Sequence, residues 1–543
     1  MGQQVGPVRT KKGSVVEQVN LPWASLGHLL EDAASKHPAQ SFIIFEGERI
    51  SYADADKRVN RIANVLRGLG LQKGARVGVM MPNGLDFPLI WLALAKTGLV
   101  LVPVNVEYQH HDLEYVLRDS GAEAAIVHAG FESRLQQTAS SLKDLRHVIV
   151  AGAGDKDAAG FEARVAQASP QHMIADVGEH DLINIQYTSG TTGFPKGCML
   201  THRYWMLIGH FGKEILGANA KDVNFNAQPF YYMDGMWNLT LCMMAGIPLV
   251  LAPRFSVSKF WRTVADNGVT FFYCLGAMPV MLMNREADAL EKQHKVRAVY
   301  CSGIGPQMHR ELETRFGCPW REGYGTTESG TETMARLDDF ASVGTGSLGR
   351  NIASKESRIV DNAGREVAQG GTGEYISRGE PVMLGYWNKP EATAETLREG
   401  WFHSGDLGFK DAQGGFHIVG RIKDMVRRSG ENISTAEVES VLVLHPSVKL
   451  AAVVPVPDEV RGEEVKAYVV LRDGENPETV SPQSIIDHAK SQLAAFKVPR
   501  YVEFVDALPM TPSERVEKHK LIKAKTDLRL GSYDRTAGDW IRA

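Results

Sequence analysis

The sequence predicts an α/β protein with a large N-terminal domain of layered α/β sheets and a small β-barrel, followed by a small α+β domain. Three observations support this fold class. The chain has 543 residues, which is more than one hydrophobic core can organise. Runs of β-branched residues alternate with helical periodicity up to about residue 300, as in α/β layers. Beyond that point the pattern changes to short strands between Gly, Asn and Asp turns.

The apolar runs in the first part of the chain predict buried parallel strands separated by helices. They are "RVGVMMP", "VLVPVN", "AAIVH" and "HVIVAG". Strands that are buried on both faces read as nearly continuous apolar runs, which favours parallel sheets. The segment 340–420 contains "SRIVD", "GEYIS" and "GFHIVG", as in a small barrel or meander. An α+β pattern follows "GRIKD", so we expect domains at 1–422 and 423–543.

Composition and charge narrow the class of protein. The formal net charge of -4 gives no electrostatic reason to expect nucleic acid as a partner. The most apolar stretch, "FPLIWLALAKTGLVLVPV", contains Lys96 and ends at Pro103, so it predicts a buried helix and strand rather than a membrane span. The five cysteines are scattered, and the first residues lack the apolar run of a signal peptide. We therefore expect a cytoplasmic protein.

One short loop predicts an anion site. "YTSGTTGFPKG", residues 187–197, contains four serine or threonine hydroxyls, three glycines and one lysine. Glycines allow backbone N–H groups to approach an anion closely. The spacing is not that of a Walker A loop. A buried strand precedes the loop and a helix follows, which is a plausible place for phosphates. A surface turn without chemistry is the alternative for this loop taken alone.

Five further motifs follow the loop in a fixed order: "CSGIGP" at 301–306, "YGTTE" at 324–328, "GWFHSGDLG" at 400–408, "GRIKD" at 420–424 and "SGEN" at 429–432. Together with the loop they resemble the adenylate-forming superfamily of acyl-CoA synthetases, adenylation domains and luciferases. The resemblance runs over nearly the whole chain. It implies an ATP-dependent carboxylic acid–CoA ligase in which an acid and ATP give an acyl-adenylate and pyrophosphate. Coenzyme A then displaces AMP, and Mg²⁺ assists.

The resemblance also implies a role for each motif residue. The nucleotide-binding set comprises Thr188, Ser189, Gly190, Thr191, Thr192, Gly193, Lys196, Gly303, Ile304, Gly305, Tyr324, Gly325, Thr326, Thr327, Asp406 and Arg421. Within it, Lys196 and the hydroxyls hold the β- and γ-phosphates, and Tyr324 stacks on adenine. Asp406 and Arg421 hold the ribose. Glu328 binds Mg²⁺, a hard cation that prefers oxygen ligands.

A second group of residues is implied for the thiol step. Lys423 is the hinge about which the small domain rotates. Ser429, Gly430 and Glu431 line the pantetheine tunnel, and Lys497 contacts a CoA phosphate. A carrier-protein thiol is the alternative acceptor. The sequence leaves the oligomeric state open, with a homodimer as one possibility.

The C-terminal motif departs from the family pattern TPTGKVxK, because the chain reads "TPSERVEK". Arg515 stands where a lysine is usual, and Glu514 stands where a glycine is usual. Three interpretations compete: Arg515 supports adenylation, Lys518 substitutes for it, or the chain is a non-catalytic acyl- or nucleotide-binding relative. We favour Arg515, since the developing phosphoryl charge needs a fixed cation and Glu514 could hold the guanidinium.

The predicted acyl pocket lies in "QPFYYMDGMWNLT" and contains Tyr231, Tyr232, Asp234 and Trp237. Aromatic rings with an acid could enclose a quaternary ammonium group. In overall style the chain is similar to crotonobetaine/carnitine-CoA ligase-like enzymes, which agrees with a small or quaternary-ammonium acid. Ordinary core packing is the alternative for these rings. Short aromatic and aliphatic acids remain open.

Overall fold

A computed structural model of the chain describes residues 19–152, 160–188, 195–275, 278–429, 431–510 and 516–542. The side chains of 423, 431 and 432 are outside this description. Within the described ranges, no helix is both long and apolar enough to cross a bilayer.

The first part of the chain builds a six-stranded sheet. The elements of this part of the chain are α1 (Leu26–Lys36), β1 (Ser41–Phe45), β2 (Glu48–Ser51), α2 (Tyr52–Arg67), β3 (Arg76–Met80), α3 (Asp86–Thr97), β4 (Val100–Pro103), α4 (His110–Ser120), β5 (Ala124–His128), α5 (Glu132–Ala139), β6 (His147–Ala151), α6 (Phe161–Gln167), β7 (Leu182–Thr188) and β8 (Lys196–Thr201). Of these strands, β1 and β2 belong to the second sheet. The strand order is β6-β5-β3-β4-β7-β8. The five strands from β6 to β7 in this order each pair in parallel with their neighbours, whereas β8 is antiparallel to β7. The four predicted parallel strands are thus confirmed as β3 to β6.

A nine-stranded sheet forms the second layer. Its further elements are α7 (His202–Leu216), β9 (Asn224–Asn226), α8 (Met233–Ala245), β10 (Leu249–Leu251), α9 (Phe260–Asp266), β11 (Phe271–Leu275), α10 (Met278–Met283), β12 (Ala298–Ser302), α11 (Pro306–Phe316), β13 (Trp320–Thr326), β14 (Gly330–Met334) and β15 (Arg350–Asn351). The order is β15-β14-β13-β12-β11-β9-β10-β1-β2. The strands from β13 to β1 are parallel, and antiparallel strands close both edges.

The main core lies between these two sheets. One buried cluster contains residues of α1, α2, α3, α7 and α8 together with strands of both sheets. The indole N–H groups of Trp91 and Trp205 both donate to Oδ1 of the buried Asn184, at 2.9 and 3.1 Å. Lys96 is fully buried, and its ammonium lies 2.7 Å from the carboxylates of Glu31 and Asp56. The apolar stretch around Lys96 is therefore a buried helix and strand, as predicted.

An antiparallel sheet follows. It contains β16 (Lys355–Val360), β17 (Gly373–Gly379), β18 (Leu397–Arg398), β19 (Trp401–Lys410) and β20 (Phe416–Arg421), with α12 (Pro390–Thr396) before β18. The order is β16-β17-β19-β18, and β20 also pairs with β19. This is the region of short strands that the turn pattern predicted.

The last part of the chain has its own sheet and core. Its elements are β21 (Met425–Arg428), β22 (Glu431–Ser434), α13 (Thr435–Leu442), β23 (Val448–Asp458), β24 (Gly462–Leu471), α14 (Pro482–Gln492), β25 (Tyr501–Phe504), α15 (Lys518–Lys523), β26 (Tyr533–Asp534) and β27 (Asp539–Trp540). A separate buried cluster packs α13 and α14 against this sheet. The α+β prediction is confirmed. The boundary predicted at residue 422 falls at a single helical turn, Ile422–Asp424, and stays a prediction, as does the mobility of this part.

Candidate active site

The glycine-rich loop joins two strands rather than a strand and a helix. Thr188, the last residue of β7, pairs with Lys196, the first residue of β8, and the helix α7 begins only at His202. The predicted order of strand, loop and helix is therefore wrong. Strand β8 was not predicted because Pro195 directly precedes it and Gly197 lies within it, and both residue types are unusual in sheets. The predicted phosphate ligands at 189–193, Ser189, Gly190, Thr191, Thr192 and Gly193, lie outside the described residues.

Helix α4 and its neighbours fasten both ends of this hairpin. The hydroxyl of Tyr115 donates to the carbonyl oxygen of Pro195 at 3.0 Å. The hydroxyl of Tyr187 donates to Oδ2 of Asp119 at 2.7 Å. Burial and the Asp119 carboxylate hold the pKa of Tyr187 well above its usual value, so Tyr187 remains a donor. The hairpin thus presents Thr188 and Lys196 from a fixed position.

Lys196 and Glu328 meet at a third residue, Tyr386. The Lys196 ammonium lies 4.1 Å from the centroid of the Tyr386 ring. The Tyr386 hydroxyl donates to Oε1 of Glu328 at 2.8 Å. The structure therefore brings together the predicted phosphate-binding cation and the predicted metal ligand. Tyr386 was not among the predicted site residues, although it lies in the conspicuous "GYWNKPE" segment.

The "GIG" loop follows β12 and precedes α11, at the carboxyl end of a parallel strand. Gly303 has φ +92°, a conformation that glycine adopts without strain. A Cβ atom added at Gly303 or Gly305 would meet no atom within 4 Å. The N–H of Ile304 donates to Oε1 of the buried Glu322 at 2.7 Å. The loop therefore borders open space, and Glu322 on the neighbouring strand β13 fixes its course.

Glu322 gives a testable pH dependence. Burial raises its pKa from an ordinary 4.5 to about 7, although the N–H groups of Ile304 and Gly303 act in the opposite direction. The folded protein therefore binds this proton more strongly than the unfolded chain does. The resulting stabilisation is complete below the unfolded pKa and is lost as the pH rises to about 7, with a size of about 3 kcal/mol.

We expect the melting temperature of the wild type to fall relative to that of Glu322→Gln between about pH 5 and about pH 8. Thermal unfolding of both proteins without nucleotide measures the difference. A difference that stays constant over this range would show that Glu322 does not titrate there.

Three residues from distant segments form a second cluster. The Tyr324 hydroxyl donates to Oδ2 of Asp406 at 2.6 Å, and Nε of Arg421 lies 3.1 Å from Oδ1. Burial and then Asp406 hold the pKa of Tyr324 well above its usual value. Although burial acts to lower the pKa of Arg421, Asp406 and Glu328 are among the charges that keep it raised. Tyr324 of this cluster and Glu328 of the first cluster are four residues apart in the same motif, which makes the two clusters neighbours.

The rest of the "YGTTE" motif is held by local contacts. A Cβ atom at Gly325 would lie 2.5 Å from the carbonyl oxygen of Gly330, so only glycine fits there. The hydroxyl of Thr326 lies 2.9 Å from that of Ser329. The carbonyl oxygen of Thr327 accepts from the buried hydroxyl of Tyr204 at 2.8 Å. These contacts hold the tight turn 327–329, which carries Glu328 at its centre.

The predicted acyl residues lie at the start of α8. The rings of Tyr231 and Tyr232 meet edge to face with centroids 4.8 Å apart. Asp234 is buried in the first turn of the helix, where the helix dipole favours a negative charge. Trp237, one turn further on, packs edge to face on Tyr273 at 5.6 Å.

Tyr273 joins the acyl residues to the "GIG" loop. Its hydroxyl lies 2.6 Å from Oγ of Ser302, and this serine directly precedes Gly303. Tyr273 was not among the predicted site residues, because it lies in the apolar run of β11. The contact places the Trp237 region next to the open space at Gly303.

The residues predicted for the thiol step lie in the C-terminal part. Lys423 lies in the turn Ile422–Asp424, and its side chain is outside the description. Ser429 has φ +53°, and its N–H donates to the carbonyl oxygen of Arg461 at 2.8 Å. Gly430 and the side chain of Glu431 are outside the described residues. The Lys497 ammonium contacts both carboxylate oxygens of Glu437, at 2.6 and 2.8 Å.

Of the two candidate cations of the C-terminal motif, only Lys518 belongs to the described residues. Arg515 and Glu514 lie outside the described residues. The Lys518 ammonium lies 2.7 Å from Oε1 of Glu439 and donates to Oγ1 of Thr435 at 2.7 Å. Lys518 is therefore engaged by other residues of the C-terminal part of the chain.

No group of three or more His, Cys, Asp or Glu side chains in the described ranges is arranged to hold a metal ion. Glu328 offers a single half-buried carboxylate, and Tyr386 fixes one of its oxygens. Mg²⁺ is commonly held by one or two carboxylates together with substrate phosphates. The site therefore fits a magnesium ion that arrives with a nucleotide.

Two family profiles match the chain. A profile described as "AMP-binding enzyme" matches residues 30–387, and one described as "AMP-binding enzyme C-terminal domain" matches residues 437–515. The chain belongs to the AMP-binding enzyme family. It is an enzyme of the AMP-forming ligase class.

Among curated proteins, a long-chain-fatty-acid–CoA ligase of Yersinia pestis is 30% identical over 94% of this chain and 96% of its own length. A crotonobetaine/carnitine–CoA ligase of Proteus mirabilis is 29% identical over 91% of this chain and 98% of its own length. Among solved structures, the anthranilate CoA ligase AuaEII in complex with anthranoyl-AMP has a TM-score of 0.86 at 26% identity, covering 93% of this chain and 98% of that one. ATP-bound MatB of Rhodopseudomonas palustris has a TM-score of 0.83 at 28% identity, covering 92% and 99%. These likenesses extend over both parts of the chain.

Proposed function

We propose that the protein joins a carboxylic acid to coenzyme A at the expense of ATP, through an acyl-adenylate. The observation that carries the proposal is a pair of neighbouring side-chain clusters, one centred on Tyr386 and the other on Asp406. Lys196 and Glu328 lie on either side of Tyr386, and Tyr324 and Arg421 lie on either side of Asp406. The first cluster suits a polyphosphate and a metal, and the second suits a ribose.

In the first step, an oxygen of the substrate carboxylate attacks the α-phosphorus of ATP. The bond from this phosphorus to the bridging oxygen breaks, and pyrophosphate leaves with the electron pair. Lys196 and the hydroxyls of the loop would stabilise the charge that develops on the departing group. Glu328 would hold Mg²⁺, which neutralises phosphate charge when bound. Asp406 would accept hydrogen bonds from the ribose hydroxyls, and Tyr324 would stack on the adenine.

In the second step, the thiol of coenzyme A loses its proton and attacks the acyl carbon. The acyl–oxygen bond breaks and AMP leaves. We propose that the domain after residue 422 turns about Lys423 between the steps, and that Ser429, Gly430 and Glu431 line the path of the pantetheine arm. Lys497 would contact a phosphate of coenzyme A. Its ion pair with Glu437 would have to open for that contact.

The acid is proposed to be small, with a quaternary ammonium group as the preferred class. Asp234 is a buried carboxyl group in the same segment as Tyr231, Tyr232 and Trp237, and aromatic rings with an acid are the groups that recognise a quaternary ammonium. Similarity to crotonobetaine/carnitine–CoA ligases supports this class, whereas the Yersinia pestis relative is named for long-chain fatty acids.

Asp234→Asn tests the class of acid. The change removes one charge and keeps the size of the side chain, so KM for 4-trimethylammoniobutyrate should rise about 10- to 100-fold. The uncharged tert-butyl isostere of the same acid should be used by both proteins equally well. Steady-state pyrophosphate release with each acid measures both values. Equal losses for the two acids would assign Asp234 a packing role, and no wild-type preference for the cation would refute the class.

The reaction itself is tested by a panel of acids supplied with ATP and Mg²⁺. Carnitine, crotonobetaine, benzoate and medium-chain acids are compared with and without coenzyme A. At least one acid should release AMP and pyrophosphate, and coenzyme A should accelerate turnover. AMP formation only with a phosphopantetheine carrier protein would favour the carrier-protein ligase. Nucleotide binding without AMP from any acid would favour the non-catalytic alternative that Arg515 raised.

A further inference from the structure

Tyr386 makes a different contact with each of the two groups at the proposed phosphate site. The flat face of its ring lies 4.1 Å from the Lys196 ammonium. Its hydroxyl donates to Oε1 of Glu328 at 2.8 Å. Tyr386 itself is only 5% exposed, whereas Lys196 and Glu328 are half-buried. One residue therefore touches both the cation and the carboxylate.

The backbone around Tyr386 is fastened to the same two partners. The N–H of Met199 donates to the carbonyl oxygen of Gly385 at 2.9 Å, and the N–H of Trp387 donates to that of Gly197 at 2.7 Å. The N–H of Met383 donates to the carbonyl oxygen of Glu328 at 2.7 Å. These bonds tie the segment both to β8, which carries Lys196, and to the turn that carries Glu328. These backbone bonds thus fix the position of the Tyr386 ring between β8 and the Glu328 turn.

Both contacts of Tyr386 stabilise the positions of their partners, Lys196 and Glu328. An ammonium over an aromatic ring is attracted by the negative face of the ring. Burial and the Glu328 carboxylate raise the pKa of Tyr386 well above its usual value, so the hydroxyl keeps its proton. The Tyr386 hydroxyl binds Oε1 of Glu328, and Oε2 takes no part in this hydrogen bond.

We propose that Tyr386 is a positioning residue that sets the Lys196 ammonium for pyrophosphate and orients the Glu328 carboxylate for the metal ion. The proposal rests on the proposed function of this site. The ring acts on Lys196, and the hydroxyl acts on Glu328, so the two effects are separable by substitution. An ordinary packing residue would not show such a separation.

Two variants separate the effects. Tyr386→Phe keeps the ring and removes the hydroxyl, whereas Tyr386→Leu removes both. Calorimetry measures the Kd of inorganic pyrophosphate for the full chain, first in EDTA and then in saturating Mg²⁺. The metal-free affinity reports on Lys196, and the gain on adding Mg²⁺ reports on Glu328.

For Tyr386→Phe we expect a metal-free Kd within about twofold of the wild type and a gain from Mg²⁺ about 10-fold smaller. For Tyr386→Leu we expect the metal-free Kd itself to rise about 5- to 10-fold, with the gain from Mg²⁺ equally reduced. Tyr52→Phe is the matched control, because Tyr52 is a buried tyrosine whose hydroxyl donates to Cys242 and Ile247 carbonyl oxygens away from the site. It should change neither quantity.

Unchanged values in both Tyr386 variants, or parallel losses of both quantities in Tyr386→Phe, would overturn the proposal. Should the leucine variant fail to fold, the gain from Mg²⁺ in Tyr386→Phe decides alone. Lys196→Ala separates this inference from the proposed function. If Lys196→Ala binds pyrophosphate as tightly as the wild type, the phosphate site itself is wrong. If Lys196→Ala loses affinity and Tyr386→Leu does not, only the role of Tyr386 is wrong.

Discussion

Arg515→Ala is expected to lower the rate of ATP–pyrophosphate exchange by about 10²- to 10³-fold, the usual cost of removing one fixed group that stabilises transition-state charge. Lys518→Ala should lower it by less than about threefold. The reason for the difference is that the Lys518 ammonium already contacts Glu439 and Thr435, which hold it within its own domain. Exchange of labelled pyrophosphate into ATP, with a saturating acid and no coenzyme A, measures the first step alone.

Thiolysis of a preformed acyl-adenylate provides the internal control, since it does not require departure of pyrophosphate. Both variants should retain it. Arg515→Lys restores the residue that is usual in the family and should keep most of the exchange activity. The opposite ranking, with a large loss in Lys518→Ala and a small one in Arg515→Ala, would transfer the role to Lys518.

Asp406→Asn is expected to raise KM for ATP by about 30- to 100-fold, because charge-assisted hydrogen bonds to the ribose become neutral ones. The buried carboxylate also accepts from Tyr324 and pairs with Arg421, so its loss leaves the guanidinium without this partner. Asp361→Asn, in the turn after the edge strand β16 of the same sheet, is the control and should change KM little.

A comparison with 2′-deoxy-ATP and 3′-deoxy-ATP locates the effect at the sugar. The wild type should use at least one deoxynucleotide about 10-fold less well than ATP, whereas Asp406→Asn should hardly distinguish them. If the variant discriminates against the deoxynucleotides as strongly as the wild type does, Asp406 does not contact the ribose hydroxyls.

Local sequence patterns predicted the elements whose contacts are local. The strands β3 to β6 were visible as apolar runs, and Lys96 with Pro103 marked the buried helix α3 and strand β4. Strand β8 was missed because its residues suit a sheet only when β7 and the segment before α12 pair with it. The nine-stranded sheet was also out of reach, since β1 pairs with β10 about 200 residues further along the chain.

The site shows the same limit. Tyr324, Asp406 and Arg421 were named through their motifs, and the structure places them in direct contact. Tyr386 and Glu322 were not named, because nothing in their own segments shows what they touch. Tyr386 reaches Glu328 across 58 positions, and Glu322 reaches Ile304 across 18. Contacts over such separations in sequence are visible only once the chain is folded.

The fate of the carboxylate oxygen decides whether the reaction passes through an acyl-adenylate. The protein is incubated with ATP, Mg²⁺, coenzyme A and an active acid whose two carboxylate oxygens are both ¹⁸O. Mass spectrometry should find one ¹⁸O atom in AMP and the other in the acyl thioester, because the acid oxygen that attacks the α-phosphorus leaves with AMP. Unlabelled AMP, or ADP and labelled inorganic phosphate in its place, would contradict the account.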